Sequence, residues 1–118
     1  MKNIEDLMIY KQYLEMMFYV EMITEKYPKV EKNSLVASIK NTVYDGMRQI
    51  ISAYKLYEKK DKLHSLNELD ISLKQLKVLI RISHKKKYIS HKNYEAWSKK
   101  INNIGNLLGG WINSCLKQ

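Results

Sequence analysis

The sequence is poor in the residues that mark turns, disulfides and export. Its 118 residues include one proline, four glycines and one cysteine. An all-β chain would need more turn residues, and a lone cysteine cannot build an internal disulfide framework. No apolar run approaches the roughly 18 residues of a membrane-spanning helix, and acids stand near the start, where a secretory signal would be basic. We therefore expect a soluble, cytoplasmic protein with no membrane contact.

Charge is plentiful and strongly one-sided. Hydrophobic residues make up 45% and charged residues 28% of the chain, a balance typical of one small folded domain. The 21 Lys and Arg outnumber the 12 Asp and Glu, which gives a formal net charge of +9. Such an excess does not determine a fold. It favours polyanionic partners instead, and the candidates are nucleic acid, anionic lipid and an acidic protein surface.

Apolar residues recur with the period of an α-helix over nearly the whole chain. The pattern predicts four helices, at about 3–27, 33–57, 61–86 and 90–115. Pro28 ends the first helix, because the residue before a proline is disfavoured in helical geometry. Good N-cap residues precede or open the later helices: Asn33 or Ser34, Asp61 and Ser90. Short loops between such helices leave only antiparallel neighbours, which predicts one all-α domain over residues 1–118, an up-down-up-down four-helix bundle.

Each predicted helix has a stripe of apolar residues expected to face the core. In the first helix the stripe is Ile4, Leu7, Leu14, Met17, Phe18 and Met22. In the third helix it is Leu66, Leu69, Leu73, Leu76 and Ile80. In the fourth helix it is Tyr94, Trp97, Ile101, Ile104, Leu108, Trp111 and Cys115. The steps of three and four residues in the last two are typical of helices that cross at about 20°.

Glycines interrupt the second and fourth helices. A glycine inside a helix costs about 1 kcal/mol relative to alanine, so Gly46 predicts close helix packing at that point. Gly105, Gly109 and Gly110 are expected to let Trp111 or a neighbouring backbone approach closely.

The third helix has a second apolar strip nearly opposite its core stripe. The strip consists of Ile71, Val78 and Ile82. A helix in a monomeric bundle needs one apolar face, and monomers rarely leave large apolar patches in water. We therefore expect this strip to form the interface of a homo-oligomer. A wide core stripe that reaches neighbouring helices on both sides is the alternative.

A stripe of cations runs between the two apolar strips of the third helix. Its members fall within about 80° around the helix axis. Residues 58–87 hold nine Lys and Arg and four Asp and Glu, the largest excess in the chain, whereas residues 1–27 are net negative. In the following turn, a tyrosine that can stack on a base stands beside further lysines. We expect seven residues to bind nucleic acid or a partner: Lys74, Lys77, Arg81, Lys85, Lys86, Lys87 and Tyr88.

Two alternatives to this interpretation stay open. The lysines can simply be solvated, and the tyrosine can anchor its loop on the end of the bundle. Only two of the 21 cations are arginine, the residue best suited to reading guanine. The composition therefore favours contacts with the nucleic-acid backbone over base recognition.

The chain contains no recognisable catalytic or metal-binding constellation. His64, His84 and His91 are scattered, and only the last two can approach each other, across the turn between the third and fourth helices. Cys115 has no nearby histidine and continues an apolar stripe. We therefore predict no enzymatic activity, no cofactor and no metal site.

Several blocks of sequence together resemble one family. Tyr27-Pro28-Lys29 follows a Met- and aromatic-rich helix, residues 76–83 lead through a basic turn to residues 88–90, and residues 104–112 contain Gly-Gly-Trp. Over nearly its whole length the chain resembles the Avd (accessory variability determinant) proteins of diversity-generating retroelements. Those proteins are similar to the four-helix-bundle proteins encoded in 23S rRNA intervening sequences.

The resemblance implies a basic, non-catalytic homopentamer of four-helix subunits. It would associate with the reverse transcriptase of its element and bind nucleic acid, RNA or DNA, during mutagenic cDNA synthesis from a template RNA. By position, Lys77 and Arg81 match basic residues of the family's third helix. Two positions depart from the family pattern, since Lys77 replaces an arginine and Asn106 replaces a basic residue. The alternative is an interaction protein of the intervening-sequence type, with no reverse transcriptase partner.

Overall fold

The computed structural model describes residues 3–118, which form four long α-helices. They are α1 (Met8–Thr24), α2 (Leu35–Lys55), α3 (Lys59–Lys85) and α4 (His91–Leu116). Each helix packs on the next one in the chain, and α1 also packs on α4, which closes an up-down-up-down antiparallel bundle. The predicted all-α four-helix bundle is confirmed. Within the described part of the chain, none of the helices has the length and apolar character needed to cross a membrane.

The ends of α1 differ from the predicted range 3–27. Residues Ile4–Asp6 form a separate 3-10 turn, and the Asn3 side chain accepts a hydrogen bond from the Glu5 N–H at 3.2 Å. The helix ends at Thr24, before Pro28, and a second 3-10 turn at Lys29–Glu31 leads to α2. The connection from α1 to α2 is therefore the longest in the bundle and has structure of its own.

The helix starts show which polar residues act as caps. Ser90 is the N-cap of α4, because its Oγ accepts a hydrogen bond from the Asn93 N–H at 3.0 Å. Ser34 precedes α2, but its Oγ donates to the Glu31 carboxylate instead. The prediction that Asp61 caps the third helix is wrong. α3 already begins at Lys59, so Asp61 lies in its first turn. There its negative charge interacts favourably with the positive end of the helix dipole.

The predicted stripes of α3 and α4 lie in the core. Ten of their side chains are at most 4% exposed: Leu66, Leu69, Leu73, Leu76, Ile80, Trp97, Ile101, Ile104, Leu108 and Cys115. Tyr94 and Trp111, at either end of the α4 stripe, are half-buried and pack against this core. The core therefore runs along most of the bundle axis.

The core face of α1 differs from the predicted stripe. The side chains that α1 buries are Ile9, Tyr13, Met16, Val20 and Ile23. Phe18 and Met22, which were expected in the core, are 67% and 56% exposed. The reason is that α1 is apolar on most of its sides, so the spacing of its hydrophobic residues does not identify a single face.

Gly46 of α2 makes room for a side chain of α1. The Tyr13 side chain is buried against it and donates a hydrogen bond to the Val43 carbonyl at 2.6 Å. A Cβ at Gly46 would overlap the Tyr13 hydroxyl. Burial raises the pKa of Tyr13, so its hydroxyl keeps the proton that makes this bond. The close helix packing predicted at this glycine is confirmed.

The three glycines of α4 have a different environment. A Cβ added at Gly105, Gly109 or Gly110 would meet no atom within 4 Å. Gly109 and Gly110 are exposed, and Gly105 is half-buried. Within the protomer, the expectation that they allow Trp111 or a neighbouring backbone to approach closely is therefore wrong.

Candidate nucleic-acid interface

The predicted cationic stripe lies on the surface of the bundle. Lys74, Lys77, Arg81 and Lys85 are all exposed on α3. Lys74 forms an ion pair with Asp70 one turn earlier, with 2.7 Å between Nζ and Oδ1. Among the residues that the structure describes, the other three make no ion pair, so their charges remain available to a ligand.

Three of these cations, Lys74, Lys77 and Arg81, line a groove between α3 and α4, the α3/α4 groove. Its upper part is lined by Lys77, Val78, Ile80, Arg81, Tyr94, Ser98 and Asn102. The lower part continues past Lys77 and Asn102 to Gly105, Asn106 and the ion pair of Lys74 with Asp70. One wall is therefore cationic, and the other offers a hydroxyl and side-chain amides. Cations beside neutral hydrogen-bond donors are the groups that bind phosphate oxygens in nucleic-acid complexes.

The α4 wall of the groove was not among the predicted site residues. Ser98, Asn102 and Asn106 repeat every four residues, which places them on one side of α4. That spacing was the available signal. The sequence does not show which side of α4 faces α3, so the relation between this polar row and the cations appears only in the folded chain.

The turn after α3 is organised around one carboxylate. Glu31 is buried, and its Oε1 accepts a hydrogen bond from the Ser34 hydroxyl at 2.6 Å. Its Oε2 accepts one from the Tyr88 hydroxyl at 2.7 Å and one from the Lys86 ammonium at 3.2 Å. These four residues form the Glu31 cluster. Hydrogen bonds from Ser34, Tyr88 and Lys86 lower the pKa of Glu31 from 4.5 to about 2.

The Glu31 cluster decides how the basic turn is arranged. The ring of Tyr88 packs against Tyr27 with 5.4 Å between centroids, so in this structure Tyr88 anchors its loop on the end of the bundle. Lys86 is paired with Glu31. Lys87 is exposed and closes α3 in the left-handed conformation, with φ of 64°, a position that glycine usually fills. Two of the three predicted binding residues in the turn thus make contacts within the fold.

Replacing Glu31 with glutamine is expected to lower the urea midpoint of unfolding at pH 7. A pKa lowered from 4.5 to about 2 means that the ionised carboxylate stabilises the fold above pH 4.5. That contribution disappears as the pH falls from 4.5 towards 2. Urea unfolding followed by circular dichroism should therefore separate Glu31→Gln from the wild type at pH 7, with the difference shrinking steadily below pH 4.5.

The control for this prediction is Glu68→Gln, at an exposed carboxylate of α3 that makes no ion pair within the described residues. Its urea midpoint should follow that of the wild type at every pH. A Glu31→Gln deficit of the same size at pH 7 and at pH 2.5 would show that the charge of Glu31 is not what stabilises the turn.

Aromatic rings cluster at the upper end of the α3/α4 groove. His84 stacks on Tyr94 with 4.4 Å between ring centroids, and the ring of His91 lies 5.4 Å from that of His84. The predicted approach of these two histidines is confirmed. His91 Nε2 lies 2.7 Å from Glu95 Oε1. Over residues 3–118, no group of three or more His, Cys, Asp or Glu side chains is placed to hold a metal ion.

The second apolar strip of α3 is exposed. Ile71 and Val78 are each 57% exposed and Ile82 is 39% exposed, so the protomer does not cover them. We call these three residues the α3 ridge. The wide core stripe considered as the alternative would have buried them. The ridge lies beside Arg81, Lys85 and Lys86, which border Val78 and Ile82 on the surface.

The family of the chain is identified by sequence comparison. A family model described as bAvd-like matches residues 7–115. The chain belongs to the bAvd-like family. The match includes all four helices, both walls of the α3/α4 groove and the α3 ridge. The resemblance to Avd proteins drawn from the sequence blocks is thereby confirmed.

The fold of this bAvd-like chain also has a solved counterpart. A crystal structure of a protein of unknown function from the S23 ribosomal protein family of Bacteroides thetaiotaomicron superposes with a TM-score of 0.81. The alignment covers 89% of this chain and 95% of that one, at 15% sequence identity, and it establishes a common fold. No curated protein matches the chain.

Proposed function

We propose that this bAvd-like chain is a non-catalytic accessory protein of a diversity-generating retroelement. It binds the reverse transcriptase of the element and the template RNA, and supports mutagenic cDNA synthesis. The α3/α4 groove is the nucleic-acid surface. The α3 ridge is covered by another copy of the chain, and the family resemblance implies a pentamer. Catalysis belongs to the reverse transcriptase.

The observation that carries the proposal is the pair Lys77 and Arg81 at the groove. Both side chains are exposed, make no ion pair in the described chain, and face a polar wall that includes Ser98 and Asn102. An anion in the groove would meet positive charge on one side and hydrogen-bond donors on the other. The net charge of +9 on each subunit adds a long-range attraction for RNA.

The chemistry of the groove favours the phosphate backbone as the main contact. Each phosphate that a cation neutralises releases condensed counterions, which makes binding depend steeply on salt. The Ser98 hydroxyl and the Asn102 amide can donate to phosphate or sugar oxygens as well as to bases. Shape and charge therefore select the ligand.

Two measurements test the proposed function. The reverse transcriptase encoded with this chain, when tagged and co-expressed, should retain the chain through affinity purification. The pure chain should bind fluorescein-labelled single-stranded RNA, with the logarithm of affinity falling at a slope of about −3.5 against log salt, as for about five phosphate contacts to a single strand. Absence of both the co-purification and the RNA binding would overturn the proposal.

The second candidate function is an interaction protein of the rRNA intervening-sequence type. The close structural match to a protein of the S23 ribosomal protein family favours it. A reverse transcriptase reading frame next to the gene is expected only for the retroelement accessory protein. If no such reading frame is present and the pure chain still binds RNA, the second candidate is favoured.

A further inference from the structure

The outer side of α1 is apolar and acidic. Phe18 and Met22 are 67% and 56% exposed, more than the α3 ridge on average. Around the helix axis they lie with Glu15 and Glu25 in an arc of about 80°. Lys11 also lies in this arc, and the segment of residues 1–27 is net negative in a chain whose other segments are positive. We call Glu15, Phe18, Met22 and Glu25 the α1 outer face.

The α3 ridge has the opposite charge around a similar apolar centre. Arg81, Lys85 and Lys86 border Val78 and Ile82. Lys86 is turned towards Glu31, which leaves Arg81 and Lys85 as the cations that flank the ridge without an ion pair in the described chain. On α1, Glu15 and Glu25 are likewise without ion pairs, while the neighbouring Glu21 binds Lys40. Each surface therefore carries exposed apolar side chains and charge that the protomer does not neutralise.

The α1 outer face and the α3 ridge cannot contact each other within one protomer. α1 packs on α2 and α4, and α3 packs on the same two helices. The two helices thus occupy diagonal corners of the bundle, and their outer sides point away from each other. The α1 outer face and the α3 ridge can meet only between different copies of the chain.

Contact between unlike surfaces is favoured over contact between like ones. If two α3 ridges met face to face, Arg81 and Lys85 of one copy would lie against the same cations of the other. If two α1 outer faces met, Glu15 and Glu25 would lie against the same carboxylates. Opposed like charges at an interface are costly, whereas complementary ones set the register.

We propose that the α3 ridge of one copy docks on the α1 outer face of the next copy. This inference rests on the self-association included in the proposed function. It names the surface of the neighbouring copy that covers the α3 ridge. Lys77 lies about 100° around α3 from Val78, so docking on the ridge leaves it accessible from the α3/α4 groove. Assembly and nucleic-acid binding thereby use adjacent sides of the same helix, and Val78 and Arg81 lie on the border between the ridge and the groove.

Mixing two variants tests the proposal. Phe18→Asp damages the α1 outer face, and Val78→Asp damages the α3 ridge. Both positions are exposed, so both variants should fold, as circular dichroism will show. In size-exclusion chromatography with light scattering, each variant alone should be monomeric. Their equimolar mixture should give a heterodimer and nothing larger, because it contains one intact copy of each surface.

The possible results are distinct. Val30→Asp, at an exposed position outside both surfaces, is the matched control and should keep the size of the wild type. If Phe18→Asp keeps that size while Val78→Asp is monomeric, the α3 ridge docks elsewhere, and the inference fails although self-association stands. Two monomeric variants that do not combine would also overturn the pairing. A monomeric wild type would overturn the proposed self-association itself.

Discussion

Reversing the two groove charges, with Lys77→Glu and Arg81→Glu together, is expected to weaken binding of single-stranded RNA about a hundredfold at physiological salt. The variant loses two phosphate contacts and places two carboxylates where phosphates would lie. Because each lost contact also removes counterion release, the slope of log affinity against log salt should become less steep by about 1.4. Fluorescence anisotropy across a salt series measures both effects.

The matched control also reverses one lysine and one arginine. Lys29 and Arg48 are exposed, lie outside the α3/α4 groove and make no ion pair among the described residues. The double variant Lys29→Glu/Arg48→Glu has the same net charge as the groove variant and should lose far less affinity. If both double variants lost the same amount of RNA affinity, the overall charge of the protein would account for binding, and the groove would not be the binding site.

Replacing Gly46 with alanine is expected to lower the free energy of unfolding by about 2 kcal/mol, as overpacking of a well-packed core does. The new Cβ overlaps the Tyr13 hydroxyl, and the buried ring can move only by giving up its hydrogen bond to Val43. The double variant Tyr13→Phe/Gly46→Ala should be more stable than the sum of the single losses predicts. Relief should be partial, because a ring carbon also stands too close. Urea unfolding gives all the values of this cycle.

Gly109→Ala is the control for that cycle. It makes the same chemical change in a helix where no atom lies within 4 Å of the new Cβ. The alanine should leave stability unchanged or raise it by up to about 1 kcal/mol, the difference in helix propensity. If Gly46→Ala behaves in the same way, the packing of Tyr13 against α2 is not tight.

The sequence predicts α3 and α4 better than α1 for a physical reason. From Leu66 to Ile80 the apolar residues follow steps of three and four, so the stripe defines one face, and the fold buries it. In α1 apolar residues surround the helix. Phe18 and Met22 share their side with Lys11, Glu15 and Glu25, and the apolar spacing alone did not show that this charged side is the exposed one. A hydrophobic pattern identifies a buried face where steps of three and four residues continue over several turns, as in the stripes of α3 and α4.

The candidate site shows a similar division. The cationic stripe is a property of α3 alone, so the sequence predicts it. The α4 wall, with Ser98 and Asn102, depends on how two helices are rotated against each other, which no local pattern shows. The Glu31 cluster joins residues 57 positions apart, from Glu31 to Tyr88. Such a contact follows from the bundle as a whole.

The three glycines of α4 have a consequence for local motion. Gly105, Gly109 and Gly110 each weaken the helix by about 1 kcal/mol relative to alanine. Within the described chain no neighbouring atom lies within 4 Å of where a Cβ would stand, so packing does not require a glycine at any of the three positions. Burial of Ile104 and Leu108 is what keeps these turns helical. Their amide hydrogens should therefore exchange with solvent sooner than those at the buried centre of α3. At the lower end of the groove, we therefore expect the α4 wall to be more mobile than the α3 wall.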